Sequence, residues 1–161
     1  MVDSFIKISI QRQTLELWQR DTLLQSWPVS TALKGTGSET GSYQTPLGLH
    51  RIRACIGAGA PLNSVFRGRR ATGEIYNEDL ARAHPHRDWI LTRILWLCGE
   101  EKGINRGGNV DSQRRYIYIH GTPDTEPMGV PRSHGCIRMT NHDVVALFSQ
   151  VQPGIPVRIK Y

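Results

Sequence analysis

The chain is short of the features that would place it in several large classes. No apolar run approaches the ~20 residues that a membrane-spanning helix needs, so helical membrane proteins are set aside. There are only three cysteines, an odd number, which in 161 residues do not make a disulfide framework. The start of the chain lacks the pattern of an export signal. Met1-Val2-Asp3-Ser4 carries no basic residue, and Phe5 to Ile10 alternates apolar and polar residues where a signal would have a continuous apolar stretch. Both observations lead to the expectation of a cytoplasmic protein. Repeats, linkers and low-complexity segments are absent too, so residues 1–161 are read as a single domain, long enough to bury a core without metal or disulfide support.

Acidic residues are outnumbered, 14 against 20 basic ones, giving a net charge of +6, and most of the basic residues are arginine. A basic balance suits nucleic acid, an anionic surface or an acidic small substrate. The arginines are spread out, locally dense only at Arg67-Gly68-Arg69-Arg70 and Arg114-Arg115. No RNA-recognition, helix-turn-helix or zinc-finger signature is present. Arginine's planar fork fits carboxylates as well as phosphates. The expected reading is solvated arginines plus a few at a carboxylate-rich site, with neither nucleic acid nor membrane as partner.

What is present reads mainly as β. Phe5–Ile10, Leu15–Trp18 and Leu23–Val29 alternate and are separated by short polar turns, which predicts an antiparallel meander. Pro28 removes a ladder donor and so predicts an edge or the end of pairing. Residues 34–46 form a polar, glycine-containing loop. Strands are then predicted at Gly48–Ile56, Trp89–Leu97, Tyr116–Ile119 and Ile155–Ile159. A short helix fits Asn77–Ala83, and a clearer one starts near Thr140, whose hydroxyl is a candidate cap with Asp143 three residues on. The predicted fold is mostly β, a mixed sheet or sandwich with one main helix packed on it. Residues 57–87 are the least legible stretch.

The chemistry concentrates in two pieces, His120-Gly121-Thr122 and Ser133-His134-Gly135-Cys136-Ile137-Arg138. A thiol becomes an effective nucleophile when a neighbour takes its proton or stabilises the thiolate, and histidine does this near neutral pH. If Cys136 meets His120 or His134 in the fold, the protein is an acyl-transfer enzyme. The backbone N–H groups of His134, Gly135 and Cys136 are adjacent candidates for an oxyanion hole. Arg138, two residues from Cys136 on an extended segment, faces the same side and either binds a substrate carboxylate or holds the turn. Ser133 is a turn-stabilising hydrogen bonder in this reading and the other candidate for substrate contact.

Blander readings compete. Cys55 and Cys98 read as small buried hydrophobes, His50 as a strand residue facing solvent, and His84-Pro85-His86 as a solvated loop. His120, His134, Cys136 and His142 offer four zinc ligands, but their irregular spacing and the lack of a second cysteine hook argue against a metal site. No cofactor is expected.

The same residues resemble the signature of the L,D-transpeptidase (YkuD-type) catalytic domain, in which a histidine and a short loop precede Ser/Thr-His-Gly-Cys, an apolar residue, and Arg or Asn. Thr45-Pro46-Leu47-Gly48 is similar to that family's Thr-Pro-x-Gly turn. The resemblance implies Cys136 as nucleophile, His120 as general base and acid, and a backbone carbonyl, that of Gly121, orienting the other ring nitrogen of His120. It also implies peptidoglycan stem tetrapeptides as substrates, cleaved between the L-centre of a diamino acid and D-alanine. Water as acceptor makes the protein an L,D-carboxypeptidase of cell-wall recycling; an amine makes it a cross-linking or exchanging transpeptidase. The absent export pattern favours the first.

Overall fold

Ile6, Ile8, Leu15, Leu17, Val157 and Ile159 are all buried, and their period of two fixes which face of the sheet becomes the core. The computed structural model describes residues 3–161. Strands β1 (Ser4–Ser9), β2 (Thr14–Gln19) and β3 (Thr22–Pro28) form the predicted antiparallel meander, with β3 at the sheet edge and Pro28 as its last residue. On its other side β1 runs parallel to β10 (Pro156–Lys160), which pairs antiparallel with β4 (Gly48–Ile56). The two ends of the described chain thus lie side by side in one sheet.

Strand β7 (Leu91–Gly99) is the hub. One edge pairs with β4, and Val65 of β5 (Ser64–Arg67) pairs with Leu91 at its start. The other edge pairs with β8 (Tyr118–Gly121), which runs parallel to β9 (Ile137–Met139). The ladder shifts register between Leu91 and Ile94, and Thr92 within this bulge takes a φ of +73°. Positive φ is costly for a β-branched residue, and Thr92 is held there by its side chain, which accepts from Asn63 N and donates to Asn141 Oδ1. Bulges of this kind re-aim neighbouring side chains; this one lies opposite His120 and Gly121.

The main helix, α2 (Asn141–Phe148), follows β9 directly, and the Thr140 hydroxyl accepts from Asp143 N at 3.1 Å as its cap. Its Val144 and Leu147 are buried in the same core as Ile119 and Ile137. A shorter helix, α1 (Glu78–Ala83), is capped by Asn77. The fold is therefore mostly β, one mixed sheet with a main helix packed on it.

Several sequence expectations shift. The strand predicted from Tyr116 begins at Tyr118, because Tyr116 takes a left-handed φ of +57°, and it runs through His120 to Gly121. The hairpin of β5 and β6 (Arg70–Ile75) was not anticipated. Its two-residue turn, Gly68-Arg69, has positive φ at both positions, a geometry that Asn-Gly usually signals. His50 does not face solvent: it is fully buried, with Nε2 2.8 Å from Ser112 Oγ and Nδ1 3.1 Å from Gly48 O. Burial lowers its pKa to about 4. Cys55 and Cys98 are half-buried, not fully buried.

Candidate active site

The parallel pairing of β8 and β9 places His120 opposite Arg138 and Ile119 opposite Ile137. Side chains alternate across a strand, so Ile119 and Ile137 enter the core while Tyr118, His120 and Arg138 take the other face. Cys136, two residues before Arg138, packs with Tyr118, Phe66 and Ile94 in a second, smaller apolar cluster. The sheet therefore brings the two motif pieces together along one seam.

His120 is 1% exposed. Its Nδ1 lies 2.6 Å from the Gly121 carbonyl, an acceptor only, so Nδ1 carries the proton and Nε2 keeps its lone pair. Burial pulls its pKa down, opposed by the charge of Asp88 and the Gly121 bond and aided by Arg138. The imidazole is thus neutral at neutral pH. Gly121 has no room for a side chain, since a Cβ would fall 2.6 Å from both Leu91 O and Asn141 Oδ1.

The Cys136 thiol is half-buried and turned toward the backbone leading into β8. It donates to Tyr116 O at 3.4 Å and accepts from Tyr118 N at 3.3 Å. Among the described residues neither bond is to His120. Burial pushes the thiol up to about 12; Asp88 raises it further, while the Tyr118 N–H, Arg138 and Arg115 act in the opposite direction. A thiol in this state waits for a base.

The turn before it is held from two sides. Ser133 Oγ donates to Cys136 O at 2.6 Å and accepts from Gly135 N at 3.2 Å. Thr45 Oγ1 donates to Gly135 O at 2.8 Å and accepts from Ala32 N at 3.0 Å. Gly135 has a φ of +133°, reserved for glycine, and a Cβ there would sit 3.3 Å from Gln44 O.

Three expectations need correction here. Ser133 is 2% exposed and both its bonds are inside the turn, so it braces the loop and is not available to substrate. Of the three backbone donors, that of Gly135 is taken by Ser133; those of His134 and Cys136 have no acceptor among the described residues. Arg138 is not a free carboxylate receptor either. Its Nη groups lie 3.2 Å from Asp88 and 3.8 Å from Glu126, although its buried Nε has no partner among the described residues. Asp88 also lies 3.5 Å from His134 Nδ1, which keeps that exposed ring at the rim of the site.

Asp88, Glu126 and Arg115 are the residues that sequence reasoning missed. Asp88 lies in a loop with no motif around it, and Glu126 in the loop that joins the two motif pieces. Arg115 was visible only as half of a basic pair.

A family model, the L,D-transpeptidase catalytic domain (YkuD), matches residues 3–159. The chain belongs to this family. Among solved structures, an L,D-transpeptidase from Mycobacterium smegmatis superposes with a TM-score of 0.56 at 15% identity, covering 99% of this chain and 59% of that one. A cysteine-to-serine mutant of the Enterococcus faecium L,D-transpeptidase gives 0.59 at 13%, covering 98% and 50%. Bdellovibrio bacteriovorus Bd1075 gives 0.61 at 14%, covering 98% and 48%. At these identities the likeness is one of fold. The chain spans about half to three fifths of the length of these three neighbours. No curated protein matches it.

Proposed function

We propose that this YkuD domain is an L,D-carboxypeptidase that releases terminal D-alanine from peptidoglycan stem tetrapeptides through a thioester on Cys136. His120 Nε2 takes the thiol proton as sulfur attacks the carbonyl carbon at the bond between the L-centre of the diamino acid and D-alanine. The carbonyl oxygen gains the negative charge and meets the free N–H groups of His134 and Cys136. Collapse breaks the C–N bond, and His120 returns the proton to the departing amine of D-alanine. Water then attacks the thioester carbonyl and gives one proton to His120; the C–S bond breaks, that proton returns to sulfur, and the new carboxyl group of the tripeptide loses its own proton to solvent.

The observation that supports water over the amine of a second stem is the burial of the base. His120 is 1% exposed and shares its face with Arg138, which is tied to Asp88 and Glu126. An acceptor must give its proton to His120, and a small molecule reaches a buried nitrogen more readily than the side-chain amine of a second stem. With water as acceptor nothing is cross-linked, which suits recycling of turnover tetrapeptides; the cytoplasm is the compartment proposed for it.

The test is incubation of the protein with tetrapeptide, free or on its disaccharide, with and without an added D-amino acid, followed by mass spectrometry. Tripeptide in both arms supports the proposal. Exchanged tetrapeptide or cross-linked dimer supports transpeptidation instead, and unchanged substrate removes both. Cys136→Ala abolishes the activity; turnover retained by that variant removes the nucleophile.

A further inference from the structure

Arg138 and Arg115 act on the thiol, and Arg69 reaches the aromatic side chains packed beside it; two of these three arginines are spoken for. Arg138 faces Asp88 and Glu126. Arg69, on the turn between β5 and β6, donates to Tyr118 Oη at 3.0 Å and stacks over Trp96 and Tyr116 at 4.6 and 4.8 Å. Arg115 differs. It has no carboxylate within ion-pair distance among the described residues, yet it is half-buried. A partly desolvated cation without a counter-charge is costly unless something else supplies one.

Its position says what that is. Arg115 lines a cavity of about 210 Å³ together with Cys136, His134 and Ile117, closed on one side by the loop carrying Thr40 and Tyr43. That is smaller than the ~300–1,000 Å³ of pockets for whole drug-sized ligands, and suits one small residue of a longer substrate. The guanidinium is aimed by neutral acceptors. Nη2 donates to Gln44 O at 2.7 Å and Ser42 Oγ at 3.3 Å, and Nη1 donates to Gly37 O at 3.3 Å. These bonds use three of its five N–H donors, fix its orientation and leave its charge uncompensated. Nη2 also lies 3.9 Å from where a Cβ on Gly135 would stand, so the charge sits against the nucleophile's turn.

We infer that Arg115 is the specificity-determining residue that receives a substrate carboxylate beside Cys136, the role Arg138 cannot fill while it is paired within the protein. The inference rests on the carboxypeptidase reading for its substrate, a donor peptide with carboxylates near the scissile bond. Either the C-terminal carboxylate of the D-residue or the side-chain carboxylate of the diamino acid supplies the group. A purely structural Arg115, clamping the loop of residues 37–44, would not make the enzyme distinguish an acid from an amide.

The experiment has two readouts. The first compares kcat and KM for the tetrapeptide with both carboxylates free, amidated at its C-terminus, or amidated on the diamino acid. In the wild type one amide loses about tenfold or more in kcat/KM, mainly through KM, and identifies the carboxylate. Arg115→Gln brings acid and amide to the same kcat/KM, and Arg115→Lys restores part of the difference. The second needs no substrate. Cys136 is alkylated with anionic iodoacetate and neutral iodoacetamide, and the rate ratio is taken by peptide mass spectrometry. Arg115→Gln lowers the iodoacetate-to-iodoacetamide ratio and Arg115→Lys retains it. If Arg115→Gln does not fold, the wild type alone decides: D-alanine or the free diamino acid slows iodoacetamide labelling of Cys136 more than its amide does.

An acid-to-amide ratio and an alkylation ratio both unchanged in Arg115→Gln overturn the inference even where the wild type turns tetrapeptide over. A changed alkylation ratio in a protein that leaves tetrapeptide intact keeps the carboxylate seat and removes the carboxypeptidase reading. Equal protection by acid and amide in both the D-alanine and the diamino-acid pair also overturns the seat.

Discussion

Thr45 donates its hydroxyl proton to the carbonyl of Gly135, 90 residues further along the chain, at 2.8 Å. The same oxygen accepts from Ala32 N. One side chain in the Thr-Pro-Leu-Gly turn thus fixes the residue just before the nucleophile, which explains physically why the two motifs occur together in this chain.

Thr45→Val keeps the shape and orphans two buried backbone groups. It costs about 1–3 kcal/mol of stability and lowers turnover by loosening the Gly135 carbonyl. Thr45→Ser retains both bonds and stays near wild type. Denaturant unfolding and kcat of the two variants check this; equal behaviour of Val and Ser counts against it.

The reactivity of Cys136 should track a thiol whose pKa is pushed up to about 12. Thiolate is the reactive form, so iodoacetamide labelling at Cys136 rises about tenfold per pH unit from 7 to 10 without a plateau. Site-resolved labelling rates measure it. A plateau below pH 8 would indicate a preformed thiolate–imidazolium pair.

Asp88 raises the pKa of both Cys136 and His120. Asp88→Asn removes that charge, so both values fall. Labelling of Cys136 at fixed pH therefore becomes severalfold faster, and the acid limb of the pH–rate profile moves to lower pH. Slower labelling, with an unchanged melting temperature, contradicts the charge arrangement described.

His50 provides a pH handle on stability. Its folded pKa, about 4, lies below the unfolded value of 6.5, so the unfolded chain takes up the proton first. The contribution is fully present above pH 6.5 and is lost as pH falls toward 4, by about 3 kcal/mol. His50→Gln flattens the stability curve in that window relative to wild type. Chemical denaturation at several pH values tests this, and parallel curves would refute it.

Much of this was legible in the sequence, for physical reasons. Period-two burial predicts β1, β2, β4 and β10 because each has one face in the core. Thr140 marks the start of α2 because a hydroxyl there satisfies an orphan N–H. The hairpin of β5 and β6 was not legible, since Gly68-Arg69 makes its turn without the usual residues. The environment of His50 was hidden because its partner, Ser112, comes from a loop 62 residues away. At the site, the motif residues could be named, but their electrostatics could not. Of the carboxylates that occupy Arg138, Asp88 comes from a loop far from the motif in sequence and Glu126 from the variable loop between its two pieces, so the sequence points to Arg138 as the substrate contact and not to Arg115.

The central claim is that Cys136 forms a thioester which water resolves. The most direct measurement is turnover of tetrapeptide in heavy-oxygen water with a D-amino acid present, read by mass spectrometry of the products. The account predicts tripeptide carrying one heavy oxygen in its new carboxyl group and no exchanged tetrapeptide. Exchanged tetrapeptide in place of labelled tripeptide would contradict it.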